Sequence, residues 1–393
     1  MKLLVVAPQP FFTPRGTPFS VYYRTLVTAE QGVQIDILTY GVGQDVVIPG
    51  VRIVRIPRLR WLEPIPVGPS GRKLVLDCLM VLWTIGLLLR HRYRVVHAHE
   101  ESVFWCRFLK PIFRFRLIYD MHSSLPQQLE NFRFTKSRFL IGTFKALEDS
   151  SLRAADAVIT ICPDLGDYAL ISGVKPDRHL LIENSIFDDV KLHVTDVAEA
   201  EAKFDKPVTF APGHPVVLYA GTFEAYQGIE ILVHAFAEVL KSKPEARLLL
   251  VGGADDQVSK IRKLAESLEL GEACVLTGRV PKTAALHYTR SAQVLVSPRL
   301  HGNNTPLKIY ELLASGRPLV ATRIRSHTQV LDDSVCYLAD PDAASLAAGL
   351  LEALVDEPGS AARVRNAMAM YEREYSRPVY ERKIRRLLEI VNA

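Results

Sequence analysis

Cations, amides and a carboxylate crowd into one short stretch of this chain, Ser297–Thr322, SPRLHGNNTPLKIYELLASGRPLVAT. Thr305 is suited to cap a helix and Pro306 to open one. Asn303 and Asn304 tolerate the left-handed geometry of a tight turn. A helix beginning at Pro306 directly after a strand turns the backbone of Asn304–Leu307 and the positive end of its dipole toward one spot. Lys308 adds a charge in the first turn, and Arg299 lies in the same segment. Glu311, one turn further on, can accept hydrogen bonds from ribose hydroxyls. An anion site with a hydroxyl acceptor beside it suits a nucleoside diphosphate. An ordinary strand-to-helix crossover has the same spacing, and on spacing alone the two readings stand equal.

Other constellations hold reactive side chains. His97 and His99 are two apart on an extended segment, so both rings project from one face and could share a metal ion. No third ligand stands at suitable spacing, and neither a metal nor another cofactor is expected. Tyr119-Asp120-Met121-His122 follows a predicted strand and places an imidazole at its carboxyl end. Thr13-Pro14-Arg15-Gly16-Thr17-Pro18 opens a helix near Ser20, and its backbone could approach an anion at Gly16 and Thr17. A proline-stiffened connector is the other reading of that loop. Asp340-Pro341-Asp342 has the form of an Asp-x-Asp metal motif, but Asp342 is placed to cap the following helix. A Gly-x-Gly-x-x-Gly turn is missing after the first strand, which weakens a dehydrogenase reading.

These groups must be held by an alternation of short apolar runs and helix-length segments, the pattern of parallel α/β architecture. With 393 residues, two domains are expected. Strands are expected at Lys2–Ala7, Gln34–Tyr40, Arg94–His97, Arg116–Asp120 and Ala157–Ile161, with Leu180–Ile182 closing the first sheet. Helices are expected over Ser20–Gln31, Lys73–Arg90 and Ser137–Ala154. Residues 190–213 are polar, end in Pro and Gly, and read as the junction. Strands resume at Pro215–Ala220, Ala246–Val251, Cys274–Thr277, Ala292–Ser297, Pro318–Ala321 and Val335–Leu338. Helices at Gly228–Leu240, Asp255–Leu268, Thr283–Arg290, Pro306–Ala314 and Asp342–Val355 separate them, and two more helices, over 359–374 and 378–391, follow.

Charge is uneven. Residues 51–140 hold sixteen Lys and Arg against six Asp and Glu, in a chain whose formal net charge is only +5. Cations alternate with aromatics in Phe104–Lys110, Phe113–Arg116 and Arg58–Leu62, a composition that suits anionic lipid head groups or nucleic acid, or else core aromatics with solvated charges between them. No nucleic-acid motif accompanies it, so no nucleic-acid partner is expected. The apolar run Leu74–Leu89 is shorter than the roughly 20 residues of a spanning helix and contains Asp77, so a buried or interface-lying helix is expected. The five cysteines are scattered without metal-type spacing, in keeping with a reduced compartment. The opening MKLLVVAPQP turns too early for a signal peptide and reads as a first buried strand.

In order and spacing these motifs resemble the family 4 glycosyltransferases. That family's signature is a Glu, a seven-residue spacer and a second Glu, followed by small residues and a Gly-x-Pro stretch. Glu311-Leu-Leu-Ala-Ser-Gly316-Arg-Pro318 fits its second half, and Asn303 stands at the first Glu. Tyr219–Gly228 resembles the strand-loop-helix that usually carries an Arg and a Lys-Gly; Thr222 stands at the Arg and Gln227 at the Lys, with Gly221 before them. Thr277–Pro281, with Gly278 and Val280, resembles the base-contacting turn, and Gly252-Gly253 also fits. His122 matches the family's acceptor-side His, close to the transferred sugar. Gly16 and Thr17 lie in the phosphate loop, which is richer in glycine in the family.

The resemblance implies a GT-B fold: two Rossmann-like domains facing across a cleft, with the last helix packing back on the first. It implies an acceptor-side domain over 1–195, a donor domain over 210–375 and that helix over 376–393. The donor is expected to be a nucleoside diphosphate sugar, UDP favoured over GDP, transferred with retention and without a metal. Gly16, Thr17, Gly221, Thr222, Gln227, Gly278, Val280, Asn303, Asn304, Thr305, Pro306, Leu307 and Glu311 are the expected donor-binding positions. Arg299 and Lys308 are expected to replace the missing Arg and Lys as stabilisers of the leaving diphosphate, and His122 to act at the sugar. A lipid-linked or polysaccharide acceptor, in the cytoplasm or on the inner membrane face, fits the basic-aromatic segment and a role in cell-envelope glycan assembly. Two alternatives remain: a nucleotide-sugar 2-epimerase on the same fold, and a non-catalytic nucleotide-sugar-binding partner subunit.

Overall fold

The computed structural model describes residues 1–13, 16–65, 70–124, 138–184 and 208–393. Arg15 and most of the expected junction lie outside them. The chain divides into two compact units, Met1–Val194 with Arg377–Ala393, and Thr195–Ser376.

In the first unit the elements run β1 (Lys2–Ala7), α1 (Gly16–Glu30), β2 (Gln34–Thr39), β3 (Val51–Arg55), α2 (Gly71–Arg90), β4 (Val95–His99), α3 (Ser102–Phe113), β5 (Arg116–Met121), α4 (Arg138–Ala154), β6 (Ala157–Thr160), α5 (Pro163–Ile171) and β7 (His179–Leu181). The seven strands form one sheet in the order β3-β2-β1-β4-β5-β6-β7, parallel throughout. Helices cover both faces, so central strands such as Leu3–Ala7 and Val95–His99 are buried along their whole length.

The second unit runs β8 (Val216–Gly221), α6 (Ile229–Ser242), β9 (Arg247–Gly252), α7 (Asp255–Ser267), β10 (Cys274–Gly278), α8 (Lys282–Ser291), β11 (Val294–Ser297), α9 (Lys308–Leu313), β12 (Leu319–Thr322), α10 (Arg325–Thr328), β13 (Tyr337–Ala339), α11 (Ala343–Val355) and α12 (Glu357–Glu374). Its six strands are ordered β10-β9-β8-β11-β12-β13, again all parallel. The last helix, α13 (Arg377–Asn392), belongs to the first unit. There Tyr380, Ile384, Leu387 and Val391 join the core cluster that holds Leu3, Val5 and Val21.

Strand order reverses between β1 and β4 in one sheet and between β8 and β11 in the other. In open parallel sheets ligands bind outside the carboxyl ends of the strands flanking such a switch point. The positions so marked are the loops after Ala7 and His99, and those after Gly221 and Ser297.

Several expected elements need correction. Val51–Arg55 is an edge strand whose residues are mostly half-buried. Phe104–Lys110 lies inside α3, where Val103, Cys106 and Leu109 face inward while Phe108 and Ile112 are exposed. The apolar helix α2, expected to be buried or interface-lying, is buried on one side only. Leu76, Met80, Thr84, Leu87 and Leu88 face the core, whereas Leu74, Leu82 and Leu89 are exposed, Leu89 at 72 %. Ser70 caps it, its Oγ accepting from the Lys73 N–H at 3.3 Å. Among the described residues no helix is long and apolar enough to cross a membrane.

Candidate functional site

The switch point of the second unit is built by two loops that lock together. The loop after β8 ends at Gly228, which has φ 72° and lies so close to the other loop that a Cβ would stand 2.0 Å from the Pro298 carbonyl oxygen. The Leu300 N–H donates to the Tyr226 carbonyl at 2.9 Å. Arg299 lies with its guanidinium 5.1 Å from the centre of the Tyr226 ring, and its Nε donates to the His301 carbonyl at 2.8 Å. Its pKa is lowered by burial.

Lys308 projects from the start of α9 toward the end of β8. Its Nζ is buried and has no hydrogen-bond partner among the described residues, although the residue as a whole is half-buried. It stands 4.0 Å from the centre of the Tyr219 ring, and a Cβ on Gly221 would lie 3.5 Å from it. Burial pushes the ammonium down to about 7, Arg299 pushes the same way, and Glu311 opposes them. An ammonium held without an acceptor in a covered site is costly. The arrangement suits a protein that meets its counter-charge in a ligand.

The expected capped helix at Pro306 is corrected. α9 spans only Lys308–Leu313, and no side chain caps it. Thr305 is buried, and among the described residues its Oγ1 has no hydrogen-bond partner, so it is turned into the protein rather than onto the helix end. The Pro306 carbonyl instead accepts from the Ile309 N–H at 3.0 Å, closing a tight turn before the helix. A six-residue helix contributes little dipole, so positive potential here comes from Lys308 and Arg299. Leu307 forms the boundary residue of α9. Asn303 is exposed, and its carbonyl accepts from Gln329 Nε2 at 2.6 Å. Asn304 and Glu311 are half-buried beside them.

Thr222 is exposed, and its carbonyl accepts from the Tyr219 hydroxyl at 2.7 Å. Gln227 is half-buried, with Oε1 covered and without a hydrogen-bond partner among the described residues. Gly278 (φ 67°) ends β10, and Val280 follows it. Both stand two strands away from β8, with β9 between.

Sequence reasoning missed His327. It is buried, with Nε2 3.1 Å from Ser297 Oγ and Nδ1 2.8 Å from the Thr322 carbonyl. Thr322 Oγ1 in turn donates to the Arg299 carbonyl. Burial pushes this imidazole down to about 4, so it is a neutral strut tying the ends of β11 and β12 beneath Arg299. Its partner Ser297 is far away in sequence, and no local spacing signals the pairing.

In the first unit His122 follows β5 and is buried. Its Nε2 lies 3.1 Å from His99 Nδ1 and 3.3 Å from Asp120 Oδ1. Arg24, fully buried on α1, donates to Asp120 and, at 2.8 Å, to the Ile182 carbonyl. His97 Nε2 donates to Asp120 Oδ2 at 2.9 Å. Although burial disfavours its charge, Asp120 is held well below the usual carboxylate range by Arg24 and the surrounding imidazoles. Burial lowers His122 to about 4 and lowers His99 as well. The expectation that His97 and His99 lack a third potential ligand is corrected: ligand atoms of His97, His99 and Asp120 lie within 4.8 Å of one another. Asp120 is distant in sequence but adjacent across the β4–β5 pair. Gly16 and Thr17 open α1, and among the described residues no atom lies within 4 Å of where a Gly16 Cβ would stand.

Comparison with known proteins agrees with this architecture. Residues 24–185 match the family model described as "Glycosyl transferase 4-like domain", and residues 214–356 match "Glycosyl transferases group 1". The chain is 25 % identical over 367 residues to the D-inositol 3-phosphate glycosyltransferase of Acidothermus cellulolyticus, covering 87 % of this chain and 78 % of that protein. Among solved structures it is similar to sucrose-phosphate synthase from Thermosynechococcus elongatus, with TM-score 0.72, 21 % identity and coverage of 99 % and 98 % of the two chains. It is also similar to HepE of Anabaena in complex with UDP-glucose, with TM-score 0.66, 16 % identity and 99 % coverage of each. Two parallel-sheet Rossmann-like units, each matching its half of the same enzyme class, define a GT-B glycosyltransferase. Within that class the chain belongs to family 4.

Proposed function

We propose that the chain transfers a sugar from a nucleoside diphosphate sugar, UDP favoured over GDP, to a lipid-linked or polysaccharide acceptor in cell-envelope glycan assembly. In this reading the anomeric configuration is retained and no metal takes part. The observation that carries it is the buried, unpartnered ammonium of Lys308 beside Gly221, at the switch point of the second sheet. A departing diphosphate gains negative charge, and a cation already in place stabilises that charge without reorganisation. Arg299 supports it from the adjoining loop, and Glu311 is assigned to the ribose. His122 is assigned to the transferred sugar. The similarity to a protein crystallised with UDP-glucose supports the donor class and favours UDP. The Asp120 charge is balanced by Arg24, so a divalent ion at the His97 cluster would add uncompensated charge; this supports metal-free chemistry.

A thermal-shift panel of UDP- and GDP-sugars tests the donor. One UDP-sugar is expected to raise Tm most, with about 2.7 kcal/mol of added stability at a hundredfold excess over its Kd. No shift with any of them counts against the reading. Product analysis then separates transfer to an acceptor from the isomerisation or hydrolysis expected of an epimerase.

The acceptor side rests on exposed apolar side chains of the first unit. Trp61, Leu74, Leu82, Leu89, Phe108 and Ile112 are exposed on α2, α3 and the turn before α2, among Arg60, Arg72, Arg90 and Arg107. Apolar groups interleaved with cations suit an anionic lipid surface. The protein is expected to float with anionic vesicles at low salt, and with less of the population bound as salt rises. Absence of association at low salt removes the membrane from this proposal.

A further inference from the structure

We propose that His327 is a positioning residue for Arg299, fixing through Thr322 the loop that carries this cation to the diphosphate. This rests on the reading above that Arg299 supports the donor diphosphate.

Arg299 lies between β11 and α9, in residues 298–307, where the backbone forms neither helix nor strand. Its guanidinium is held by its own loop. Nε donates to the His301 carbonyl at 2.8 Å, and Gly302 lies so close that a Cβ there would overlap Nη2. The side chain therefore moves with the loop, and the place of the guanidinium depends on what holds the loop backbone. One anchor is the Tyr226 carbonyl, which accepts from the Leu300 N–H at 2.9 Å. The others come from the segment that follows β11 across the sheet. Thr322 Oγ1 donates to the Arg299 carbonyl, and Gln329 Nε2 donates to the Asn303 carbonyl at 2.6 Å. Thr322 is in turn held by His327 of α10, whose Nδ1 lies 2.8 Å from the Thr322 carbonyl.

The proton on His327 has one place to sit. Burial keeps the ring neutral, and the charges of Lys308 and Arg299 act the same way, so it carries a single N–H. A carbonyl oxygen has no hydrogen to give, so the 2.8 Å contact needs the hydrogen on Nδ1. The Thr322 hydroxyl, 3.2 Å from Nδ1, does not reverse this, because its hydrogen is directed at the Arg299 carbonyl. Nε2 is then a bare acceptor, and the Ser297 hydroxyl meets it at 3.1 Å. One ring thus joins the last residue of β11 to the last residue of β12. The loop departs from the first of these, and the second grips it two residues further on. Ser297, Thr322 and His327 are all fully buried, so water does not compete for these bonds and each is stronger for it.

Calorimetric titration with UDP tests the coupling. Arg299→Met is expected to weaken UDP binding by about 10–100-fold, the range for a hydrogen bond to a charged group. His327→Gln carries its amide to the Nε2 side and leaves the Thr322 carbonyl without a donor; about five- to tenfold weaker binding is expected, because a displaced donor loses part of its interaction. His327→Asn keeps an amide donor where Nδ1 stood and is expected to stay within about threefold of wild type. Thr322→Val should match His327→Gln, whereas Thr322→Ser, which keeps the hydroxyl, should match wild type. In an Arg299→Met background, His327→Gln and Thr322→Val should add no further weakening, since residues acting through one another are not additive. A side chain that only supports the fold would instead weaken binding by the same factor in both backgrounds, and that result overturns the proposal. So does equal affinity of the Asn and Gln variants. If the His327 variants fail to fold, the Thr322 pair decides, and equal affinity of its Val and Ser members overturns the proposal. Near-normal UDP binding by Arg299→Met, or none by the wild type, removes the reading of Arg299 itself, and this inference falls with it.

Discussion

Lys308→Met lowers turnover by roughly 10²–10³-fold, the cost of losing one preorganised charge donor, while the empty protein melts no lower than before. The two halves of this result belong together. Methionine keeps most of the apolar stem and removes a buried ammonium that stands over the Tyr219 ring and has no hydrogen-bond partner among the described residues. A structural lysine would take stability with it; a lysine awaiting its ligand would not. The pH dependence is equally specific. In the empty protein the ammonium is lowered to about 7, below its unfolded value of about 10.4. The unfolded chain therefore binds more protons between these values, and Lys308 makes the empty protein gain stability as pH rises from about 7 to about 10. A bound diphosphate restores the charge, so donor binding takes up a proton in that window and weakens with rising pH, by up to about tenfold per unit. Calorimetry in buffers of different ionisation enthalpy reads the proton uptake directly. Near-normal turnover in the variant, or an unchanged pH slope of donor affinity, removes Lys308 from the site.

Arg24→Met is expected to destabilise the first unit by about 3–5 kcal/mol, the scale of stripping one partner from a buried ion pair. Arg24 and Asp120 are both fully buried, with side chains 1 % and 0 % exposed. Without the guanidinium, Asp120 keeps its imidazole neighbours but loses its only full counter-charge among the groups described around it. The double variant Arg24→Met/Asp120→Asn recovers part of the loss, because no charge is then left uncompensated. The wild-type pair also has a defined acid limit. Asp120 is held below its ordinary value, so its contribution is fully present above about pH 3.9 and is lost as pH falls through the depressed folded value. Urea midpoints followed by a probe in the first unit measure all three proteins. Equal stability of the single and double variants would show that Asp120 does not depend on Arg24.

Most strands could be read from the chain because parallel strands covered on both faces are continuous apolar runs, as at Leu3–Ala7 and Val294–Ser297. Val51–Arg55 escaped because an edge strand alternates and stays half-exposed. Helix α3 escaped because cations and aromatics obscured the spacing of Val103, Cys106 and Leu109. At the site, the residue types around Lys308 and Glu311 were legible, but the helix cap was not. Whether Thr305 turns outward or inward depends on packing that no local pattern encodes. The Arg24–Asp120–His99–His122 network and the His327 strut were invisible for a plainer reason. Each joins positions brought together only by strand pairing and by helices packed against the sheet, as Arg24 of α1 meets Asp120 and His327 of α10 meets Ser297, and no local spacing signals such contacts.

Helix α13 carries a consequence for how the protein comes to be made. Ile384, Leu387 and Val391, translated after the second unit, join the same apolar layer as Leu3 and Val5, translated before it. A ribosome that has delivered Met1–Val194 has therefore released that layer without the side chains that α13 contributes to it. The amino-terminal unit matures only after its neighbour in the chain has been synthesised, reversing the usual order in which domains fold as they emerge. Nascent chains stalled before Arg377 should present that uncovered apolar surface to chaperones, and α13 then acts as the closing stitch.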